Sequence, residues 1–106
     1  MSFTIHDLEA RVHQRAAESA ENSYTRKLID KGVAHCAKKL GEEAIETVLA
    51  AVGDERERLA AETADLLYHL LVVLKARDVT LADVEAELAQ RTRQSGIDEK
   101  AARKGG

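Results

Sequence analysis

A chain of 106 residues has the length of one domain, and alone it buries only about two-thirds of the surface that its unfolded state exposes. Aromatic residues make up 3% of it, so a core must come from Leu, Ala, Val and Ile, and a core that thin favours a homodimer. A net charge of −3 gives no general attraction to nucleic acid or to an anionic membrane, and the longest apolar run, Leu70 to Leu74, is far too short to span a bilayer.

The single Cys36 excludes an intrachain disulfide and fits a reducing, cytoplasmic compartment. Met1 to Asp7 lack the charged-then-apolar pattern of an export signal. Proline is absent, and an abundance of Ala, Leu, Glu, Lys and Arg is a helix-forming composition.

Thr4 is placed as an N-cap, with Ile5, Leu8 and Val12 following at helical spacing; this first helix is expected to fade near Ala20. Glu21 to Thr25 is polar and reads as a loop, and Tyr24 to Asp30 as a short helix ended by Gly32. A long helix is expected from Val33 to Val52, stopped by Gly53, with Val33, Ala37, Leu40, Ala44, Val48 and Val52 as its apolar stripe. Gly41 interrupts it, at a cost of about 1 kcal/mol relative to Ala.

Asp54 is expected to cap a second long helix that runs to about Ala76. Thr80 should cap a last one, through Leu81, Val84 and Leu88 to about Arg91. Thr92 to Gly106 is charged and weakly periodic, a flexible tail by composition. With no repeats and no strand-like alternation, the class is all-α: one domain, a small bundle of four to five helices, dimeric.

The stretch Ala64 to Leu74 reads ADLLYHLLVVL, apolar apart from Asp65, Tyr68 and His69. At about 100° per residue, Glu62, Asp65 and His69 fall in a strip about 60° wide with apolar flanks. Carboxylates facing an enclosed space need cations, because unpaired burial costs several kcal/mol each. Glu43 and Glu46 share a face of the preceding helix, beside Glu42 and Lys39. Across a short turn at Gly53-Asp54, Glu46 and Glu62 lie about eight residues to either side, so the two pairs converge in an antiparallel packing. Four such acids suit a hard cation, Mg²⁺ or Mn²⁺, better than zinc. The competing reading is a solvated, salt-bridged face in a non-catalytic helical dimer.

His69 is placed as a partner of Asp65 or as a contact to metal or substrate, and Tyr68 as an interface or ligand residue. His6, His13 and His35 show no partner pattern and read as surface or interface residues; Cys36 reads as a small core residue. Leu66, Leu70, Val73 and Leu74 offer more apolar surface than one small bundle needs, which marks them for the dimer interface.

Glu43-x-x-Glu46, with fifteen residues before Glu62-x-x-Asp65, resembles the metal-binding signature of the all-alpha nucleoside triphosphate pyrophosphohydrolases, the MazG-like superfamily. Ser23 to Leu28 (SYTRKL), Lys38 to Glu46 (KKLGEEAIE), Glu62 to His69 (ETADLLYH) and Gly96 to Lys104 (GIDEKAARK) narrow that resemblance to the phosphoribosyl-ATP pyrophosphohydrolase family of histidine biosynthesis. It implies hydrolysis of phosphoribosyl-ATP to phosphoribosyl-AMP and pyrophosphate by Mg²⁺-activated water. Residue by residue, it implies that Glu43, Glu46, Glu62 and Asp65 bind the metal and act in catalysis, with Glu42 orienting water or facing solvent. Arg26, Lys27, Lys38 and Lys39 become candidates to meet the polyphosphate, and Tyr24, Thr25 and His69 to contact the same ligand. Another superfamily member acting on dUTP, dCTP or a non-standard nucleotide would use the same four acids.

Overall fold

The computed structural model describes residues 2–93. They form five helices: α1 (Ile5–Ala16), α2 (Tyr24–Asp30), α3 (Val33–Ala51), α4 (Arg56–Ala76) and α5 (Leu81–Arg93), with no strand among the described residues. The all-α class read from composition therefore holds. Of the expected tail, Thr92 and Arg93 continue α5, and the remainder, including the Gly96 to Lys104 motif, lies outside the described residues.

The helix boundaries follow from who satisfies the terminal backbone groups. Thr4 caps α1 in a reciprocal box: its hydroxyl accepts from the Asp7 amide at 3.2 Å, and Asp7 accepts from the Thr4 amide at 2.9 Å. Thr80 and Asp83 repeat that box at α5, with bonds of 3.1 and 2.9 Å. The first helix ends at Ala16, not near Ala20, because the next helix takes its last carbonyls. Ser23 Oγ donates to Arg15 O at 2.7 Å and Arg26 Nη1 donates to Ala16 O at 3.0 Å. The same Ser23 hydroxyl caps α2 by accepting from the Arg26 amide at 3.1 Å, so a buried serine locks the α1–α2 corner.

Gly32 turns the chain from α2 into α3 at φ 103° and ψ 164°, a conformation that only glycine adopts without strain. The N-cap of α4 is Glu55, with no side-chain cap bond, so Asp54 does not cap it; the extended residue that opens the helix is one position later. At the other end Asp78 takes the left-handed conformation at φ 57°. Val79 N then reaches Leu74 O at 2.9 Å and Asp78 N reaches Lys75 O at 3.1 Å, a Schellman closure with Asp in the position usually held by glycine.

The core is small: Val12, Leu28, Cys36, Leu71 and Val72 are buried together, with Leu8, Ile29, Tyr68, Val73 and Leu74 packed around them. Cys36 takes the expected core place, its thiol donating to Leu28 O at 3.2 Å, and burial pushes its pKa up.

The stripe expected to face a core on α3 departs from the structure: Cys36 and Ala50 are its buried residues, whereas Val48 and Val52 are 62% and 80% exposed. Helical period fixes which residues share a face but not what covers it. Val73 and Leu74, expected at an interface, pack on the chain's own core, while Leu70 stays exposed. The Cα radius of gyration is 16.5 Å, against about 13 Å for a compact chain of 100 residues, so the single chain is extended for its length. α5 buries no residue of its own; it is tied to α1 by Glu9, which accepts from the Leu81 amide at 2.6 Å, and by His6–Glu85 at 3.1 Å.

Candidate active site

The α3–α4 hairpin brings Glu43 of α3 against Glu62 and Asp65 of α4. One carboxylate oxygen from each lies within 4.8 Å of the other two. Glu43 and Glu62 are half-buried and Asp65 is exposed, so the expected enclosure is only partial in a single chain. None of the three has an ion-pair partner among the described residues. The neighbouring acids do: Glu42 pairs with Lys39 at 3.6 Å and Glu46 with Arg58 at 3.9 Å, both on exposed surface.

The described residues thus hold both arrangements that the spacing allows, exposed ion pairs and an unpaired acid trio. Exposed ion pairs of this kind contribute little to stability. Three unpaired carboxylates in mutual range repel one another, and a cation joining them would relieve that repulsion. Two oxygens on one Mg²⁺ lie at most about 4.2 Å apart, twice a bond of about 2.1 Å. The observed set therefore fits a hard divalent cation after small side-chain adjustments.

Thr47 holds the two helices in register at this point. Its hydroxyl lies 2.8 Å from Glu43 O, one turn back, and 3.2 Å from Glu62 O across the interface. It donates to one carbonyl at a time, and either bond fixes the level at which Glu62 meets Glu43. Sequence reading passed Thr47 over, since a lone threonine in a helix carries no signal of what lies opposite. Replacing it with Val keeps the shape and removes the hydroxyl. The expected result is a melting temperature lower by about 4–8 °C, for about 1 kcal/mol lost. The concentration of a divalent cation that half-saturates the acid trio should rise severalfold; an unchanged metal titration would reject the positioning role.

His69 is buried beneath the acids, 8% exposed. Burial lowers its pKa, Glu43 and Asp65 pull the other way, and Lys39 adds to the depression. Its Nδ1 has no hydrogen-bond partner among the described residues, and its ring meets Tyr68 edge-on at 5.0 Å. The Tyr68 hydroxyl is engaged with that of Thr25, 2.6 Å away. Burial raises the Tyr68 pKa, and the Thr25 bond opposes that.

The remaining candidates divide. Thr25 is 3% exposed with its hydroxyl engaged by Tyr68, and Arg26 is committed to Asp30 at 2.8 Å and to Ala16 O at 3.0 Å. Both hold α2 in place. Tyr24, Lys27 and Lys39 share one cavity, described below, whereas Lys38 is exposed on α3.

The sequence model of the family described as phosphoribosyl-ATP pyrophosphohydrolase matches residues 5–92, which include every residue of this site. The chain is 65% identical over 101 residues to the phosphoribosyl-ATP pyrophosphatase of Nitrobacter winogradskyi, covering 95% of this chain and 87% of that relative. It is 63% identical over 102 residues to phosphoribosyl-ATP pyrophosphatase 1 of Bradyrhizobium diazoefficiens, covering 96% of each. With the Agrobacterium fabrum phosphoribosyl-ATP pyrophosphatase the identity is 56% over 102 residues, covering 96% of this chain and 95% of that one.

Proposed function

Because the chain belongs to the phosphoribosyl-ATP pyrophosphohydrolase family, we propose that it hydrolyses phosphoribosyl-ATP to phosphoribosyl-AMP and pyrophosphate, the second step of histidine biosynthesis. The observation that carries the chemistry is the unpaired trio Glu43, Glu62 and Asp65. These three hold a divalent cation, Mg²⁺ with Mn²⁺ as a substitute. Glu46 is the fourth acid of the family signature, and its exposed contact with Arg58 is weak enough to yield to a cation.

A bound divalent cation supplies neutralisation of the triphosphate and stabilisation of charge in the transition state. The protein's own part is positional. The acids on two helices fix where the phosphates sit, and a carboxylate of the set takes up a proton from the attacking water. Glu42, turned toward Lys39, stands at the edge of the set, where it orients water. Lys38, exposed on α3, offsets triphosphate charge, and Lys27 and Lys39 offer further positive charge to the substrate from the α2–α3 side.

The chain acts as a single domain, and as a homodimer in the cytoplasm. Ile45, Val48, Leu49 and Val52 are each more than half exposed, beside the acids on α3, and a second copy is the natural cover. The reduced, buried Cys36 suits a reducing compartment, and no helix of the described residues is long and apolar enough to cross a membrane.

The test is to incubate the purified protein with phosphoribosyl-ATP, with and without Mg²⁺, and to measure pyrophosphate. Release is expected with the metal and none after chelation. A folded protein that releases nothing in either condition sinks the proposal, and a higher kcat/KM on dUTP or dCTP would move it to another member of the superfamily.

A further inference from the structure

At the corner between α2 and α3 lies a cavity of about 440 Å³, lined among others by Tyr24, Lys27, Asp30, Lys31, His35 and Lys39. Its basic positions recur every fourth residue, at 27, 31, 35 and 39, across the break at Gly32. The glycine's positive φ lets α3 return past α2, which brings the two halves of that series around one space.

The charges do not cancel within the cavity. Asp30 is taken by Arg26 at 2.8 Å, and Lys39 touches Glu42 at 3.6 Å. Lys27 and Lys31 have no ion-pair partner among the described residues. Surface lysines are ordinarily just solvated, but His35 is not explained that way. Its Nε2 is shut off from solvent and has no hydrogen-bond partner among the described residues. A buried imidazole nitrogen without a partner carries a desolvation cost, which donation to an anionic oxygen would relieve. Tyr24, 57% exposed at the rim, offers an aromatic face to a ribose or a base.

Lys39 connects this cavity to the acids. It stands one turn before Glu43 on α3, a rise of about 6 Å, and His35 stands two turns before it, about 12 Å. The proposed substrate carries two separate anionic ends, its triphosphate and the phosphate of its second ribose. The cation on Glu43, Glu62 and Asp65 meets the first. We propose that the cavity formed by Lys27, Lys31, His35 and Lys39 is the subsite for the second, the 5′-phosphate of the phosphoribosyl group. A phosphate monoester carries a charge of about −1.5 to −2 at pH 7, which the two unpaired lysines match. This assignment rests on the hydrolytic reading above.

The test uses Lys31→Met, on the exposed cap of α2, with Lys31→Arg as its conservative control. Lys31→Met should raise KM for phosphoribosyl-ATP, and Kd for ribose 5-phosphate by calorimetry, about tenfold, for the loss of one charge-assisted bond. Inhibition by pyrophosphate and kcat should stay within about twofold, and Lys31→Arg should restore most of the affinity. Weakened pyrophosphate inhibition with unchanged ribose 5-phosphate binding would overturn the assignment in favour of a leaving-group site. Unchanged values throughout, or a wild-type protein that does not bind ribose 5-phosphate, would reduce the cavity to solvated surface. A wild-type protein that binds ribose 5-phosphate but does not hydrolyse phosphoribosyl-ATP would refute the hydrolytic reading instead.

Discussion

Glu62→Gln is expected to lower kcat/KM by about three orders of magnitude, roughly 4 kcal/mol of transition-state stabilisation, while the helical fold is retained. Gln keeps the shape of Glu and most of its hydrogen bonding, so the change isolates one charge. A carboxylate oxygen of Glu62 lies within 4.8 Å of those of Glu43 and Asp65. Like charges about 4 Å apart repel by about 1 kcal/mol in water and by more where solvent is partly excluded. The metal-free variant is therefore expected to melt at or slightly above the wild-type temperature. Wild type should also gain about 2.7 kcal/mol from metal at 100 times its Kd, a gain that the variant largely loses. Thermal melts with and without Mg²⁺, run beside the pyrophosphate assay, test both halves. Near-normal turnover would cast these acids as structural, and a melting temperature lowered by many degrees would mean that Glu62 is satisfied by partners within the chain.

The convergence of these acids was legible because it depends on two rules that sequence states directly. Residues three apart share a helix face, and a short turn sets two helices antiparallel with matched counts from the turn. The rules stop at the face. Glu46 shares that face with Glu43, yet its side chain reaches Arg58, because several partners lie within range of one rotamer set. The caps at Thr4 and Thr80 were legible for a similar local reason, whereas the buried Ser23 was passed over because its role depends on Arg15 O, a carbonyl of the preceding helix. His35 reads from sequence as a surface or interface residue and Lys31 carries no signal, because the cavity they line exists only once Gly32 has turned α3 back past α2.

The apolar stripe of α3 gives the opposite lesson. Its period was read correctly as that of a helix, and its burial was not, since a single chain leaves Val48 and Val52 uncovered. Apolar surface of that extent next to a partly exposed acid set connects assembly to chemistry. A copy packed there would exclude water from Glu43 and Glu62 and strengthen every charge interaction among them.

Leu28→Ala should be the most damaging single truncation for the fold, at about 2–5 kcal/mol. Leu28 is 2% exposed and belongs to the central cluster with Val12, Cys36, Leu71 and Val72. A seven-residue helix has no independent stability, so α2 depends on what it buries, and beyond Leu28 it buries fully only Thr25. Loosening α2 also withdraws Ser23 and Arg26 from the end of α1, and Lys27 from the α2–α3 cavity. The loss would be a large share of the 5–15 kcal/mol typical of a whole domain. With a urea slope of about 1–3 kcal/mol per molar, the midpoint should fall by about 1–3 M. Cys36 reports the same event chemically. It is 1% exposed, its thiol is bonded to Leu28 O, and burial raises its pKa, so wild type should resist a thiol reagent until it unfolds. The variant should react under native conditions. A protected thiol together with an unshifted urea midpoint would mean that α2 is held by its polar ties at Ser23, Arg26 and Thr25 and not by its one buried leucine.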